Sequence, residues 1–155
     1  MRPIQREIWG APRMIEGLLL TPLQVVSNPK GDIYHALKAS APGYQGFGEA
    51  YFSTVARGLT KGWKRHNRNT LNLVVPVGEI RFIVHDDRLG SSTYGQFADV
   101  CLSLLSNYAR LTVPPGLWMA FQGIGEFNLL LNIIDYEHDP AEADNKDLSE
   151  IAFLD

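Results

Sequence analysis

A short basic segment near the middle of the chain carries the side chains best suited to chemistry. Lys61, Lys64, Arg65, His66 and Arg68 lie close together in sequence. Such a cluster forms either a solvated face or a clamp for a diphosphate group, because these cations donate hydrogen bonds to phosphate oxygens. If the segment is a regular strand, Lys64, His66 and Arg68 point one way, and Lys61, Trp63 and Arg65 point the other. Only one set can then face a ligand.

Other residues outside this set could contact the same ligand. Arg81 and Arg88 are candidates for binding phosphate, because a guanidinium group pairs with phosphate oxygens through two hydrogen bonds. Trp63 and Trp118 either fill the core or offer an indole wall on which a base or sugar ring stacks. We treat these four residues, with Lys61, as candidate substrate-binding residues.

Composition narrows the class of protein. The chain has 155 residues, 45% hydrophobic and 20% charged, with a formal net charge of −3, which fits one globular domain. Outside the basic segment there is no long run of lysine and arginine, which disfavours a nucleic-acid partner. No apolar stretch of about 18 residues could span a bilayer. We predict a cytoplasmic protein, and a single core cysteine, Cys101, agrees with a reducing compartment.

The elements that must position these residues are short strands. In residues 78–85, Ile80, Phe82 and Val84 alternate with polar residues, which is typical of a strand with one buried face. Similar runs, bounded by turn residues, occupy residues 70–77, 100–104, 110–113 and 129–134. Many short strands at even spacing indicate an all-β sandwich or barrel.

The two ends of the chain differ from this pattern. We predict an N-terminal arm over residues 1–24, the barrel over residues 25–140, and a helical or extended tail over residues 141–155. The one predicted helix is short and lies over residues 140–144, where Asp139 can cap it and Pro140 suits its first turn.

Three blocks of residues carry more specific information. They are Gly46-Phe47-Gly48-Glu49-Ala50-Tyr51-Phe52-Ser53 with Lys61-Gly62-Trp63-Lys64-Arg65-His66 and Leu71 to Gly78, then Asp86-Asp87-Arg88 with Ser91-Ser92-Thr93-Tyr94-Gly95, and then Val113-Pro114-Pro115-Gly116-Leu117-Trp118-Met119-Ala120-Phe121. With its blocks in this order, the chain resembles the dTDP-4-dehydrorhamnose 3,5-epimerase family over about residues 25–140. The resemblance is to a divergent branch of that family, which has a Lys-Gly-Trp-Lys-x-His strand. The resemblance implies a cupin-type antiparallel β-barrel, a homodimer and a role in making bacterial surface-polysaccharide sugars.

The chain departs from the family at its expected catalytic positions. The place of the family's catalytic histidine falls on Lys64, with His66 two residues later, and a later family histidine is replaced by Met119. The family's acid tyrosine aligns with His138, and Tyr136 lies two residues upstream. Neither an ammonium nor a thioether suits zinc or iron(II), so we expect no metal and no cofactor.

The remaining residues still fit metal-free proton transfer beside a ketone. An epimerase of a 4-keto sugar needs a base, a partner for the enolate oxygen and an acid. Lys64, His66, His138 and Tyr136 could supply these roles, with Lys64 either a base of lowered pKa or a cation beside the enolate. By resemblance, Arg57 is a phosphate-binding candidate, and Glu49 contacts the ligand region of a neighbouring subunit.

The sequence therefore predicts an epimerase of a nucleotide-linked 4-keto-6-deoxy sugar, most simply a dTDP-sugar. Two alternatives stay open. One is a 3,4-ketoisomerase of a dTDP-sugar, which moves protons between other carbons. The other is a non-catalytic cupin that binds sugar nucleotides, because the usual histidine and tyrosine are replaced.

Overall fold

Short strands account for nearly all of the regular structure in the computed structural model, which describes residues 15–153. The strands are β1 (Leu19–Pro22), β2 (Val25–Val26), β3 (Ile33–Tyr34), β4 (Glu49–Thr54), β5 (Thr60–His66), β6 (Leu71–Val77), β7 (Glu79–His85), β8 (Phe97–Ser103), β9 (Ala109–Val113), β10 (Trp118–Gly123), β11 (Leu129–Ile134) and β12 (Ala143–Asn145). Two single-turn 3₁₀ helices, Pro140–Glu142 and Leu148–Glu150, flank β12. The predicted all-β class is confirmed.

The strands form two antiparallel sheets that pack face to face. The first sheet has the order β1-β9-β6-β11-β4 and the second has the order β12-β5-β10-β7-β8, while β2 and β3 form a separate hairpin. Residues 19–22, in the predicted N-terminal arm, pair with β9 as an edge strand of the first sheet. Residues 1–14 of that arm lie outside the described part of the chain.

The main core lies between the two sheets. Ile80, Phe82 and Val84 of β7 are fully buried there, as their alternation predicts. They face Leu73 of β6 and Leu111 of β9 within one apolar cluster. Burial of such side chains contributes about 1.5–3 kcal/mol each, so this core holds the sheets together.

A second apolar cluster covers the outer face of the second sheet. Trp63, Ile83 and Trp118 pack there against Ile151 and Phe153 of the C-terminal segment. Both faces of β7 are therefore buried, which explains why Ile83 interrupts the alternation of the sequence. Cys101, predicted to be a core residue, is instead exposed, because it lies on the uncovered face of the edge strand β8.

The predicted C-terminal helix is not confirmed. Asp139 does cap Pro140–Glu142 by accepting the Ala141 N–H at 3.0 Å, but the turn ends after three residues. Residues 143–145 then pair with β5 as β12, because the edge of the second sheet offers backbone hydrogen bonds that outweigh local helix propensity. No helix within residues 15–153 is both long enough and apolar enough to cross a membrane.

Candidate active site

A cavity of about 270 Å³ opens between the two sheets. Its polar lining comes from both walls: Tyr51, Ser53 and Asn132 from the first sheet, and Lys61, Lys64 and His66 from β5. Asn145 of β12 and Lys146 also line it, and apolar side chains, including Leu73 and Met119, line most of the remainder. The cavity can therefore hold a ligand with polar groups on one part and an apolar face on another.

A β-bulge in β5 brings Lys61, Lys64 and His66 to the same wall. Lys64 lies opposite Met119 of β10, but Lys61 lies opposite Phe121, so β5 contains one residue more than its partner between these pairs. The extra residue shifts the alternation, and Lys61 lines the cavity with Lys64 and His66. A regular strand would direct Lys61 the other way.

His66 forms a buried pair with a carboxylate from the far end of the chain. Its Nδ1 contacts Glu142 Oε1, and both side chains are less than a tenth exposed. Glu142 Oε2 also accepts the backbone N–H groups of Asn67, Arg68 and Asn69 at 3.0–3.3 Å. Burial raises the pKa of Glu142, but the hydrogen bonds from His66 and the backbone outweigh it and lower that pKa to about 2.

This pair fixes how His66 meets a ligand. An ionised Glu142 holds the proton on Nδ1, so Nε2 is the basic nitrogen of a neutral ring. Nε2 has no hydrogen-bond partner within residues 15–153 and belongs to a ring that lines the cavity. The geometry suits a general base.

The lysines make this cavity cationic. No aspartate or glutamate is among the described residues that line it. Lys61 Nζ lies 3.4 Å from Ser53 Oγ and 6.0 Å from the centre of the Phe121 ring, and Lys64 has no ion pair within the described range. Both ammonium groups are available to an anion.

Opposite β5, Tyr51 and Asn132 form a polar pair on the first sheet. They are directly paired across β4 and β11, and Asn132 Nδ2 donates to Tyr51 Oη at 2.9 Å. Burial raises the pKa of Tyr51. The other amide atom, Asn132 Oδ1, is buried without a partner within residues 15–153.

Four sequence-predicted residues lie outside this cavity. The Tyr136 ring is about half exposed and stacks on the Arg68 guanidinium, 4.3 Å from its centre. His138 is exposed, and its backbone N–H donates to Glu49 at the rim of a separate surface recess. Arg57 is exposed in the turn after β4. The structure therefore groups Lys61, Lys64 and His66, and separates them from these residues.

The other predicted arginines are engaged in ion pairs. Arg81 makes a two-point contact with Asp99, at 2.9 and 2.7 Å. Arg88 pairs with Asp86 at 2.9 Å, and this contact contributes to a pKa of Asp86 well below its usual range despite the opposing effect of burial. The first pair joins β7 to β8 within the second sheet, and the second pair orders the turn that follows β7.

Trp63 and Trp118 belong to the apolar cluster on the outer face of the second sheet. Trp118 Nε1 donates to Asp87 at 2.9 Å, and its ring is flanked by Arg65 and Lys146. Trp63 borders the cavity, but its indole Nε1 donates to the Leu148 carbonyl in the C-terminal segment.

Comparison with known proteins decides the family. No protein-family profile and no curated protein matches the sequence. Among solved structures, a dTDP sugar isomerase from Desulfovibrio desulfuricans G20 is 34% identical, over 91% of this chain and 92% of that one, with a TM-score of 0.86. The chain belongs to the dTDP-sugar isomerase family. The resemblance predicted from the sequence is confirmed.

More distant structures share the fold of this dTDP-sugar isomerase family. A double mutant of ChmJ, a 3'-monoepimerase from Streptomyces bikiniensis solved in complex with dTDP, is 19% identical, covers 90% of this chain and 76% of that one, and has a TM-score of 0.80. The rmlC epimerase of Mycobacterium tuberculosis is 17% identical, with coverage of 84% and 68% and a TM-score of 0.75.

Sequence reasoning missed three residues at this cavity: Tyr51 and Asn132 line it, and Glu142 contacts His66. Glu142 is 76 residues from His66 in the chain. The sequence around it is typical of an acidic residue in the first turn of a helix, and does not indicate a partner for His66. Tyr51 belongs to the first block of the sequence analysis and Asn132 lies beyond the third, and the sequence pattern assigns a role to neither. Two polar residues that lie opposite each other on the inward face of neighbouring strands are the signal that could have indicated Tyr51 and Asn132.

Proposed function

We propose that this chain is an epimerase of a dTDP-linked 4-keto-6-deoxy sugar, working by metal-free proton transfer. The observation that carries this proposal is the His66–Glu142 pair at the wall of a cationic cavity. Family membership supports the substrate class, because the related protein from Desulfovibrio desulfuricans is a dTDP sugar isomerase.

His66 is the general base in this proposal. Its Nε2 removes the acidic proton on a carbon beside the keto group, and the electron pair of that C–H bond forms the enolate. Glu142 stabilises the imidazolium that results, since its carboxylate stays ionised with a pKa of about 2. A base ordered in this way contributes about 10²–10⁴-fold to the rate.

Lys64 is the cationic partner of the enolate oxygen. It lies two residues from His66 on the same cavity wall, whereas no carboxylate in the described cavity lining orders it for proton removal. An ammonium group placed where negative charge develops lowers the barrier by charge stabilisation. Lys61, on the same wall, is placed to bind the diphosphate.

The wider assignments are also part of the proposal. We place the two sheets in a closed cupin barrel and the chain in a homodimer, in which the Glu49–His138 recess borders the partner's site. The charged sugar nucleotide does not cross membranes, so we expect the enzyme in the cytoplasm, supplying sugars for surface polysaccharides.

The test is NMR of the protein with dTDP-4-keto-6-deoxyglucose in deuterated water. Deuterium at carbon 3 or 5, with inversion there, supports the epimerase. Migration of the keto group to carbon 3 identifies the ketoisomerase instead. Binding of dTDP with no exchange at any carbon refutes catalysis and leaves a sugar-nucleotide-binding protein.

A further inference from the structure

Tyr51 faces the cavity from the wall opposite His66. It lies on β4 of the first sheet, whereas His66 lies on β5 of the second, and both side chains line the same space. No other tyrosine lines this cavity within residues 15–153. A planar enolate held between the sheets would therefore meet His66 on one face and the Tyr51 hydroxyl on the other.

The hydroxyl of Tyr51 is held as a proton donor. Asn132 Nδ2 donates to Oη at 2.9 Å, so this hydrogen bond uses a lone pair of the oxygen and leaves the phenolic proton free. No acceptor for that proton is present among residues 15–153. Burial raises the pKa of Tyr51, which keeps the proton in place at neutral pH.

The side-chain amide of Asn132, beside Tyr51, has an oxygen without a hydrogen-bond donor among residues 15–153. Asn132 is 4% exposed and lines the cavity, and its Oδ1 has no partner in the described chain. A buried amide oxygen without a donor destabilises the fold, and a hydroxyl of a bound sugar would supply that donor. This part of the wall is thus built for a ligand.

We propose that Tyr51 is the catalytic acid that returns the proton to the sugar carbon, and that Asn132 positions it. The inference rests on the proposed function. The enolate electron pair forms a C–H bond with the Tyr51 proton as the O–H bond breaks, leaving a phenolate. The imidazolium of His66 and this phenolate then exchange one proton through solvent, which restores both groups with no net gain or loss.

The test compares two rates in deuterated water: deuterium entry into recovered substrate, and product formation. Tyr51→Phe keeps the base and loses the acid, so we expect product formation to fall about 10²–10³-fold and deuterium entry to stay within a few-fold of wild type. His66→Asn loses both rates. Tyr94→Phe, an exposed tyrosine outside the cavity, is the matched control and keeps both.

Two results would overturn the assignment. Wild-type product formation in Tyr51→Phe would show that the hydroxyl is dispensable, and an equal loss of both rates would place Tyr51 in proton removal instead. Calorimetry of dTDP binding establishes that each variant is folded. If wild type itself gives no exchange, the proposed function fails, which is a different outcome from a failure at Tyr51 alone.

Asn132→Leu separates positioning from packing. It removes the donor to Tyr51 Oη and fills a similar volume, so we expect kcat to fall about tenfold and the basic limb of the pH–rate profile to move to higher pH. The limb moves because the hydrogen bond from Asn132 lowers the pKa of Tyr51. An unchanged limb would contradict the positioning role.

Discussion

In the proposed mechanism, His66 works as a base because a carboxylate far away in sequence orders its ring. Glu142 contacts Nδ1 and is itself fixed by three backbone N–H groups. Glu142→Gln keeps the shape but removes the charge that stabilises the imidazolium, so we expect kcat to fall about 100-fold or more with little change in dTDP affinity. Steady-state kinetics and calorimetry check this, and an unchanged kcat would separate Glu142 from the chemistry.

The same pair makes stability depend on pH. Folding lowers the pKa of Glu142 from 4.5 to about 2, so its contribution is complete above pH 4.5 and is lost as the pH falls toward 2. We expect the wild-type free energy of unfolding to decline over this window more steeply than that of Glu142→Gln. Urea titrations at pH 6 to 2.5 measure the difference, and parallel curves would contradict it.

Lys64 is tested by removing its charge while keeping its length. Lys64→Met should lower kcat about 10²–10³-fold, because the enolate loses its cationic partner, while dTDP binding changes little. Lys30→Met, at an exposed position that does not line the cavity, controls for the loss of one positive charge. A larger effect on binding than on kcat would make Lys64 a phosphate ligand instead.

At the scale of elements, the bulge in β5 decides which side chains meet. Gly62 sits in it with a φ of +136°, and a Cβ there would lie 2.8 Å from Ala120 Cα. Gly62→Ala should therefore lower the free energy of unfolding by at least about 2 kcal/mol. Gly58→Ala, also at positive φ but with nothing within 4 Å, should cost only about 1 kcal/mol. Equal losses, measured by urea unfolding, would show that the close contact is unimportant.

The strands could be predicted where local pattern decides them, as in β7, where alternation marks Ile80, Phe82 and Val84 as core. The bulge could not, because its extra residue is defined only against β10. For the same reason the alternation of a regular strand separates Lys61 from Lys64, whereas the bulge places both at the cavity. β12 formed where a helix was predicted, since pairing with β5 is a tertiary contact, and the position of Glu142 depends on that pairing.

Over the whole molecule, charge is unevenly distributed. The chain has a net charge of −3, yet its cavity is lined by lysines without carboxylates in the described lining. We expect dTDP binding to weaken as salt is raised from 0.05 to about 0.5 M, because ions screen the attraction. Lys61→Met should flatten this dependence, as calorimetry can show, and an equally steep dependence would contradict a role for Lys61 in binding the diphosphate.

The C-terminal segment links stability to the site. Residues 143–145 pair with β5, and Ile151 packs on Trp63 and Trp118, so this segment both covers the second sheet and brings Glu142 to His66. The position of Glu142 beside His66 therefore depends on contacts made on the opposite face of the same sheet.

The most direct test of the account is the rate at which deuterium enters a dTDP-linked 4-keto-6-deoxy sugar with His66→Asn and with His35→Asn, whose position is outside the cavity lining. Both variants should bind dTDP as wild type does. We predict that His66→Asn loses exchange by about 10²–10⁴-fold and that His35→Asn keeps it. Wild-type exchange in His66→Asn would contradict the assignment of His66 as the base.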